Sequence, residues 1–341
     1  MHNATRLLVL VAFAGLAALI GIVALPDDEQ DPPAKHIYVE QEQTERIWTE
    51  QALTLAPLRY PIYEALFNPV LMKRYDDNLY IVDHGDTRIK RFSLHGALIN
   101  TIGMGKGEGP GEFGNITDFY VRKETIWVAS PRSRTILKFH IDGTYLSQFD
   151  AHPVSFRVTG LKENLVLMKL MSPALLHETD TTGTAVRTFG EVIMEQTQNP
   201  LALDGTFVDD EDGGFIYVPT YASYLYFYDA SGTLDKVVQT IDRLPFPGTA
   251  SRNTETTLFA PKTDIVINNA SLYDGALYLH TKFVKEETEG GRLSILDRYD
   301  AQTGAYVNST RLPFAALNAV VYGERLYCLH DTTVSVLQFE P

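Results

Sequence analysis

The chain has 341 residues, 45% of them hydrophobic, a formal net charge of −14 and one cysteine. That apolar content supports a sizeable core, and all-β barrels and propellers reach this length as one domain. The acidic balance argues against a nucleic-acid partner, which needs concentrated Lys and Arg against phosphate. The single Cys328, inside Leu326-Tyr327-Cys328-Leu329, excludes an intramolecular disulfide and reads as a buried thiol.

Leu7 to Leu25 is 19 residues without a charge. As a helix it would be about 28 Å long, enough to cross a hydrocarbon core. Arg6 precedes it and Asp27, Asp28 and Glu29 follow, which places the N-terminus inside and the bulk outside. The best small-x-small cleavage candidate, Ile22-x-Ala24, is poor, so residues 1–26 read as a signal anchor in preference to a cleaved signal peptide. No cysteine stands near to carry a lipid. Residues 27–36, polar and proline-rich, read as a linker, and 37–341 as the folded domain. The expected location is the periplasmic or extracellular side, anchored in the cytoplasmic membrane by residues 7–25, with no other membrane contact.

From residue 37 onward short apolar strands alternate with turns, without a helical period. One unit recurs six times: an apolar strand, a polar break and a second strand ending in an aromatic residue or its stand-in. The first copy runs from Leu79-Tyr80-Ile81-Val82-Asp83 to Arg88-Ile89-Lys90-Arg91-Phe92. The Asp83-to-Phe92 spacing returns in Ser130–Phe139, Lys169–Glu178, Pro219–Tyr228 and His330–Phe339, while Thr281–Tyr299 carries nine more residues. Repeats at roughly 40 to 60 residues signal a solenoid or a propeller. Four strands per unit predict an all-β, six-bladed β-propeller.

After each third strand comes a glycine turn, such as Asp142-Gly143 or Ser231-Gly232, that leads directly into the next strand. The last unit stops after three strands. An unclosed ring exposes strand edges, so the segment Ile37 to Leu55, with surplus strand-like sequence, is expected to supply the fourth strand of blade six. The innermost strands are expected at Val70–Tyr75, Ile116–Arg122, Ser155–Leu161, Leu203–Asp209, Val266–Tyr273 and Ala316–Val321, none with a histidine.

Asn78 to Asp83 followed by Arg88-Ile89-Lys90-Arg91-Phe92 resembles the NHL repeat of six-bladed propellers. Ile102 to Phe113 resembles the Gly-rich "GPGEF" connection of exported bacterial propellers of the NHL and TolB-like kind. The match covers blades one and two. Further on, Lys169, Pro219, Thr281 and His330 replace the Asp, and Ala174, Tyr224, Ile295 and Ser335 the Arg. The resemblance implies the fold and a ligand- or protein-binding role; some relatives are metal-dependent lyases.

The Gly-rich loop is no phosphate cradle: Lys106 precedes Gly107 without a following Ser or Thr, and a strand stands where a helix is needed. In a propeller the blade-to-blade loops and the second-to-third-strand loops open on one face, and the other face has short hairpins. The loop-rich face collects Asp83, His84, Arg88, Glu108, Glu112, Arg132, Arg134, Lys169, Tyr221, His280, His330 and Asp331, with the insertion 283–291 and the connection 242–264. These are the candidate ligand-binding residues. A divalent metal centre of His and carboxylate from Asp83, His84, His280, His330 and Asp331 is not expected, because His280 aligns with Val82 and Leu329 and so points away from the position shared by Asp83 and His330. No cofactor is expected; Asp118 and Asp204 are the one pair of candidate oxygen ligands for Ca2+, read first as solvated channel residues. Asp209 to Gly214 reads as a hairpin turn in preference to a calcium loop. With no nucleophile elbow, HExxH or EF-hand loop, no catalytic residue is assigned. Binding of a protein, peptide or carbohydrate is favoured over a lyase or hydrolase acting on sugar or peptide at the channel mouth.

Overall fold

The computed structural model describes residues 37–50, 53–58, 62, 65–210, 212–252, 255–257, 265–281 and 294–339. The expected anchor, linker and insertion 283–291 lie outside the described residues. Two short strands come first, β1 (Ile37–Val39) and β2 (Leu53–Leu55). Blade 1 is β3 to β6 (Pro69–Tyr75, Asn78–Asp83, Arg88–Ser93, Leu98–Ile102) and blade 2 is β7 to β10 (Asp118–Arg122, Thr125–Ser130, Thr135–His140, Tyr145–Asp150). Blade 3 is β11 to β14 (Arg157–Leu161, Asn164–Met168, Leu176–Thr179, Ala185–Phe189) and blade 4 is β15 to β18 (Gly205–Asp209, Phe215–Pro219, Tyr224–Tyr228, Leu234–Gln239). A small hairpin, β19 (Ala250–Arg252) and β20 (Glu255–Thr257), precedes blade 5, which is β21 to β24 (Ile267–Tyr273, Ala276–Thr281, Ile295–Asp300, Tyr306–Arg311). Blade 6 is β25 to β27 (Asn318–Tyr322, Arg325–His330, Thr333–Phe339) with β2 as its fourth strand.

Within each blade the strands pair antiparallel with their sequence neighbours. Blade-to-blade contacts run from β7 to β11, β15, β21, β25 and β3, and Lys73 on β3 reaches Asp118 and the Phe119 carbonyl on β7, which closes a six-membered ring. Apolar alternation explains the packing. Each blade turns one set of side chains toward each neighbour, so hydrophobic clusters form between sheets, as with Val82, Ile89, Phe119 and Val128 between blades 1 and 2. The residues that close the repeated unit are core: Phe92, Phe139, Tyr228 and Tyr299 are all buried. Irregular helix is short, a turn at Glu191–Met194 and a 3-10 turn at Pro200–Leu203, both joining blade 3 to blade 4.

Closure differs in one respect from expectation. β2 pairs antiparallel with β27, Leu53 opposite Phe339 and Leu55 opposite Leu337, and completes blade 6. β1 does not join it. It adds a parallel fifth strand to blade 4, Ile37 opposite Lys236 and Val39 opposite Val238. Between them Trp48 bridges Ser309 on β24, so the segment is a strap along the outer edges of blades 4, 5 and 6. Arg46 fixes its middle, with Nε and Nη2 donating to Asp297 at 3.0 and 2.9 Å and Nη2 also to Asp242 at 2.8 Å. The Gln41 amide donates to the carbonyls of Gln239 and Gly304, and its oxygen accepts the Tyr306 N–H.

Candidate functional site

The position occupied by Asp83 has a structural task. Its carboxylate accepts the N–H groups of Phe67, Asn68 and Gly85, each at 2.8 Å, and pairs with Lys90 at 2.7 Å. Burial alone would raise its pKa, but Lys90 and the three N–H donors hold it below the ordinary carboxylate value. It ties the loop entering the blade to the turn after the second strand. Ser130 repeats part of this in blade 2, accepting Asn115 N–H at 3.5 Å and lying 3.2 Å from Ser133 Oγ.

The other expected residues divide into tied and open groups. Glu112 accepts the Gly109 N–H within its own loop, and His84 sets Nε2 2.8 Å from the Ile116 carbonyl. His330 pairs with Ser335 Oγ at 2.7 Å and packs on Phe314. His280 is completely buried in blade 5 and does not reach the face. Tyr221 is half-buried, its hydroxyl pKa raised by burial and Asp204. Lys169 is buried, its amine donating to the His152 carbonyl. Glu108, Arg132, Arg134 and Asp331 are exposed, Arg88 partly so. The Gly-rich loop is seated between the two basic turns: Gly105 lies against Arg88, and Gly114 lies against Arg132 and Ser133. Gly103 must be glycine there, with φ of 94° and a Cβ that would fall 2.0 Å from the Phe113 ring.

Exposed large apolar side chains fall in two places only among the described residues. One is the outer rim: Ile37, Tyr38, Ile47, Trp48 and Leu55 on the strap, and Leu98, Ile99, Leu146, Val186 and Val307 on fourth strands. The other is the loop-rich face, with Phe67, Val70, Met104, Met171, Ile265 and Leu317. The short-hairpin face has none. It does carry a cleft of about 580 Å³ between blades 1 and 6, lined by Asp77, His95, Tyr322, Glu324 and Arg325.

The channel holds charges that sequence reading missed. Lys73 Nζ pairs with Asp118 at 2.7 Å, and Asp118 also accepts the Val158 N–H at 3.1 Å. Arg157 grips Asp204 with Nε and Nη2 at 3.0 and 2.8 Å and donates to the Thr117 carbonyl. Both candidate calcium ligands therefore face cations. Asp209 stands at the end of β15 and not in the hairpin turn, which spans Asp210 to Gly214. It accepts the Thr159 hydroxyl and lies close to Tyr75, which comes from the opposite blade of the ring. Burial raises its pKa above the usual carboxylate value despite Thr159, Lys73 and Tyr75. The available signal was position: Lys73, Tyr75, Arg157, Thr159 and Asp209 all lie on predicted innermost strands. Among the described residues no three His, Cys, Asp or Glu side chains are arranged to hold a metal ion, and no helix is long and apolar enough to cross a membrane.

Comparison with known proteins agrees with this architecture. The profile of the DUF5128 family, described as a 6-bladed beta-propeller, matches residues 64–238. A protein of Bacteroides fragilis NCTC 9343, described as a candidate exported protein, superposes with a TM-score of 0.55 at 11% identity, covering 89% of this chain and 99% of its own. A duf4221 family member of Bacteroides vulgatus ATCC 8482 gives 0.53 at 12% identity, covering 87% and 98%. Virginiamycin B lyase of Staphylococcus aureus gives 0.50 at 12% identity, covering 85% and 100%. At these identities the likeness is one of fold. No curated protein matches the chain.

Proposed function

The chain belongs to the DUF5128 family of 6-bladed beta-propellers, and from that premise we propose that it is a non-catalytic binding or scaffolding module. It works outside the cytoplasmic membrane, held by residues 7–25, and takes a protein, peptide or carbohydrate ligand on its loop-rich face. It is of the NHL-repeat and TolB-like kind, by the motifs of blades one and two. One observation carries the reading: among the described residues, and away from the outer rim, exposed large apolar side chains such as Phe67, Met104, Met171, Ile265 and Leu317 occur on this face alone, beside exposed Arg132 and Arg134. Apolar anchors with arginine are the composition of a binding surface.

The test is a set of glycan and peptide arrays probed with the wild-type chain and two triple variants. Met104→Ser, Arg132→Glu and Arg134→Glu should lower the signal of any ligand at least tenfold. His95→Ser, Glu324→Lys and Arg325→Glu on the opposite face should leave it unchanged. The reverse pattern, or no ligand for the wild-type chain, overturns the reading.

A second reading, a lyase or hydrolase, is favoured by the channel, where Asp118, Asp209, Lys73 and Tyr75 converge and Asp209 holds its proton above the usual range. Perturbed groups meeting in a cavity are a mark of active sites. Turnover of any array ligand that is lost in Asp209→Asn and kept in the loop-face variant would put this reading first.

A further inference from the structure

Lys169 takes the repeat position that Asp83 fills in blade 1, and its surroundings differ in kind. Asp83 is met by Lys90 seven residues on, whereas seven residues after Lys169 stands Leu176. Lys169 is 6% exposed, and among the described residues no carboxylate lies within ion-pair distance of it. Its Nζ donates to the His152 carbonyl at 3.0 Å. An ammonium removed from water without a counter-charge is disfavoured against the free amine. Burial accordingly lowers the Lys169 pKa, and Asp150, acting at longer range, does not restore it.

The side chain lines a cavity of about 310 Å³ between the outer strand of blade 2 and blade 3, with Asp150, His152, His177, Thr179 and Thr188. That volume lies at the small end of ligand pockets. Two further features of the lining point to an occupant. Thr179 Oγ1 is buried with no hydrogen-bond partner, a group that folding leaves unsatisfied unless something enters. His177 directs Nε2 at the Ala174 carbonyl, 3.0 Å away, and at Ser172 Oγ, 2.9 Å away. An Nε2–H donated to that carbonyl leaves the Nδ1 lone pair free to take a proton.

We propose that this cavity is a site for a small hydroxylated aldehyde or ketone, which Lys169 binds as an imine. The Nζ lone pair attacks the carbonyl carbon while the C=O π pair moves to oxygen, which takes a proton to give a carbinolamine. Nζ then releases its proton, the hydroxyl leaves with another as water, and a C=N bond replaces the C=O bond. Amine and carbonyl give imine and water, with no oxidant or reductant. His177 is the group positioned to relay the proton, and Thr179 supplies the hydrogen-bond partner for a ligand hydroxyl. The site stands on its own observations and does not rest on ligand binding by the wider face.

The full chain is incubated at pH 7 with glyceraldehyde and sodium cyanoborohydride, which reduces any imine to a stable amine, and adducts are placed by peptide mass mapping. Burial favours the free amine at pH 7 and the cavity holds the aldehyde against it, so Lys169 should be labelled several-fold faster than exposed Lys106 and Lys123. Thr179→Val should slow labelling by glyceraldehyde several-fold and leave labelling by propionaldehyde, which lacks the hydroxyls, unchanged. Lys169→Arg keeps the charge and should abolish the fast phase. Labelling of wild-type Lys169 at or below the rate of Lys106 and Lys123 overturns the proposal, as does a fast phase that survives Lys169→Arg. Equal slowing of both aldehydes in Thr179→Val overturns the assignment of a hydroxylated ligand.

Discussion

Replacing Arg46 by alanine should free the strap before the ring unfolds. The guanidinium makes three hydrogen bonds to two carboxylates, and the side chains of Arg46, Asp242 and Asp297 are 15, 6 and 1% exposed. An exposed pair would contribute about 0–1 kcal/mol. Here Arg46→Ala takes the guanidinium away from two buried carboxylates, and losing one partner of a buried pair costs about 3–5 kcal/mol. Arg46→Lys should fall between, because one ammonium cannot reproduce the planar fork. The chain's two tryptophans separate the events in urea unfolding followed by fluorescence. Trp48, alone in a Trp127→Phe background, reports the strap, and buried Trp127, alone in Trp48→Phe, reports blade 2. The Trp48 transition should move to lower urea and part from that of Trp127. Adding Asp297→Asn should recover part of the loss, since the two changes share one contact and are not additive. A shift below about 1 kcal/mol with coincident transitions would refute a strap pinned by Arg46.

Three further outcomes follow from the same geometry. Asp209 has a raised carboxyl pKa through burial, so its protonated form is the stabilising one; that stability is full below the unfolded value near about 3.9 and is lost as pH rises through the folded value. Melting temperature between pH 4 and 8 should therefore decline less in Asp209→Asn than in wild type, and parallel curves would refute it. Asp83 has the opposite sign: its lowered pKa stabilises above the unfolded value and the gain is lost as pH falls through the folded one. Asp83→Ala, which strips the brace from three N–H groups and leaves buried Lys90 only the partly exposed Asp86 as counter-charge, should cost about 3–5 kcal/mol in denaturant unfolding at pH 7, against a refuting value below about 1. Gly103→Ala, forced into positive φ and the Phe113 ring, should lose at least about 1–3 kcal/mol in the same assay, and an unchanged midpoint would refute the contact.

What the sequence disclosed and what it hid have a common physical cause. Six copies of one unit, five of them with the same spacing, disclosed six blades, because the spacing is local: Asp83 and Arg88 face each other across a four-residue turn. The missing strand of blade 6 was legible by counting, and Leu53–Leu55 fills it. The parallel docking of Ile37–Val39 on blade 4 was not, since nothing in a three-residue apolar run names its partner. The innermost strands were placed nearly residue for residue, with Asp209 at the end of the fourth, yet its surroundings were hidden. Its partners, Thr159 and Tyr75, come from other blades and meet it only when the ring closes. Asp118 and Asp204 were found as channel carboxylates, but their cations, Lys73 and Arg157, belong to neighbouring blades.

The repeat itself points to where chemistry can arise. At Asp83 the unit spends an acid on three backbone N–H groups and Lys90, and at Ser130 a hydroxyl on a smaller version of the same brace. A residue so committed has no capacity left for a ligand, so the motif that identifies the blade is a poor guide to function. From blade 3 onward the position holds Lys169, Pro219, Thr281 and His330. Pro219 has no polar side chain, Thr281 is buried, and His330 is turned onto Ser335. Lys169 alone places a nucleophile there beside a cavity. The blade holds without the Asp brace because Phe189, Leu176 and Ile193 pack its end instead. Loss of the brace in a blade that no longer needs it therefore releases a site for chemistry.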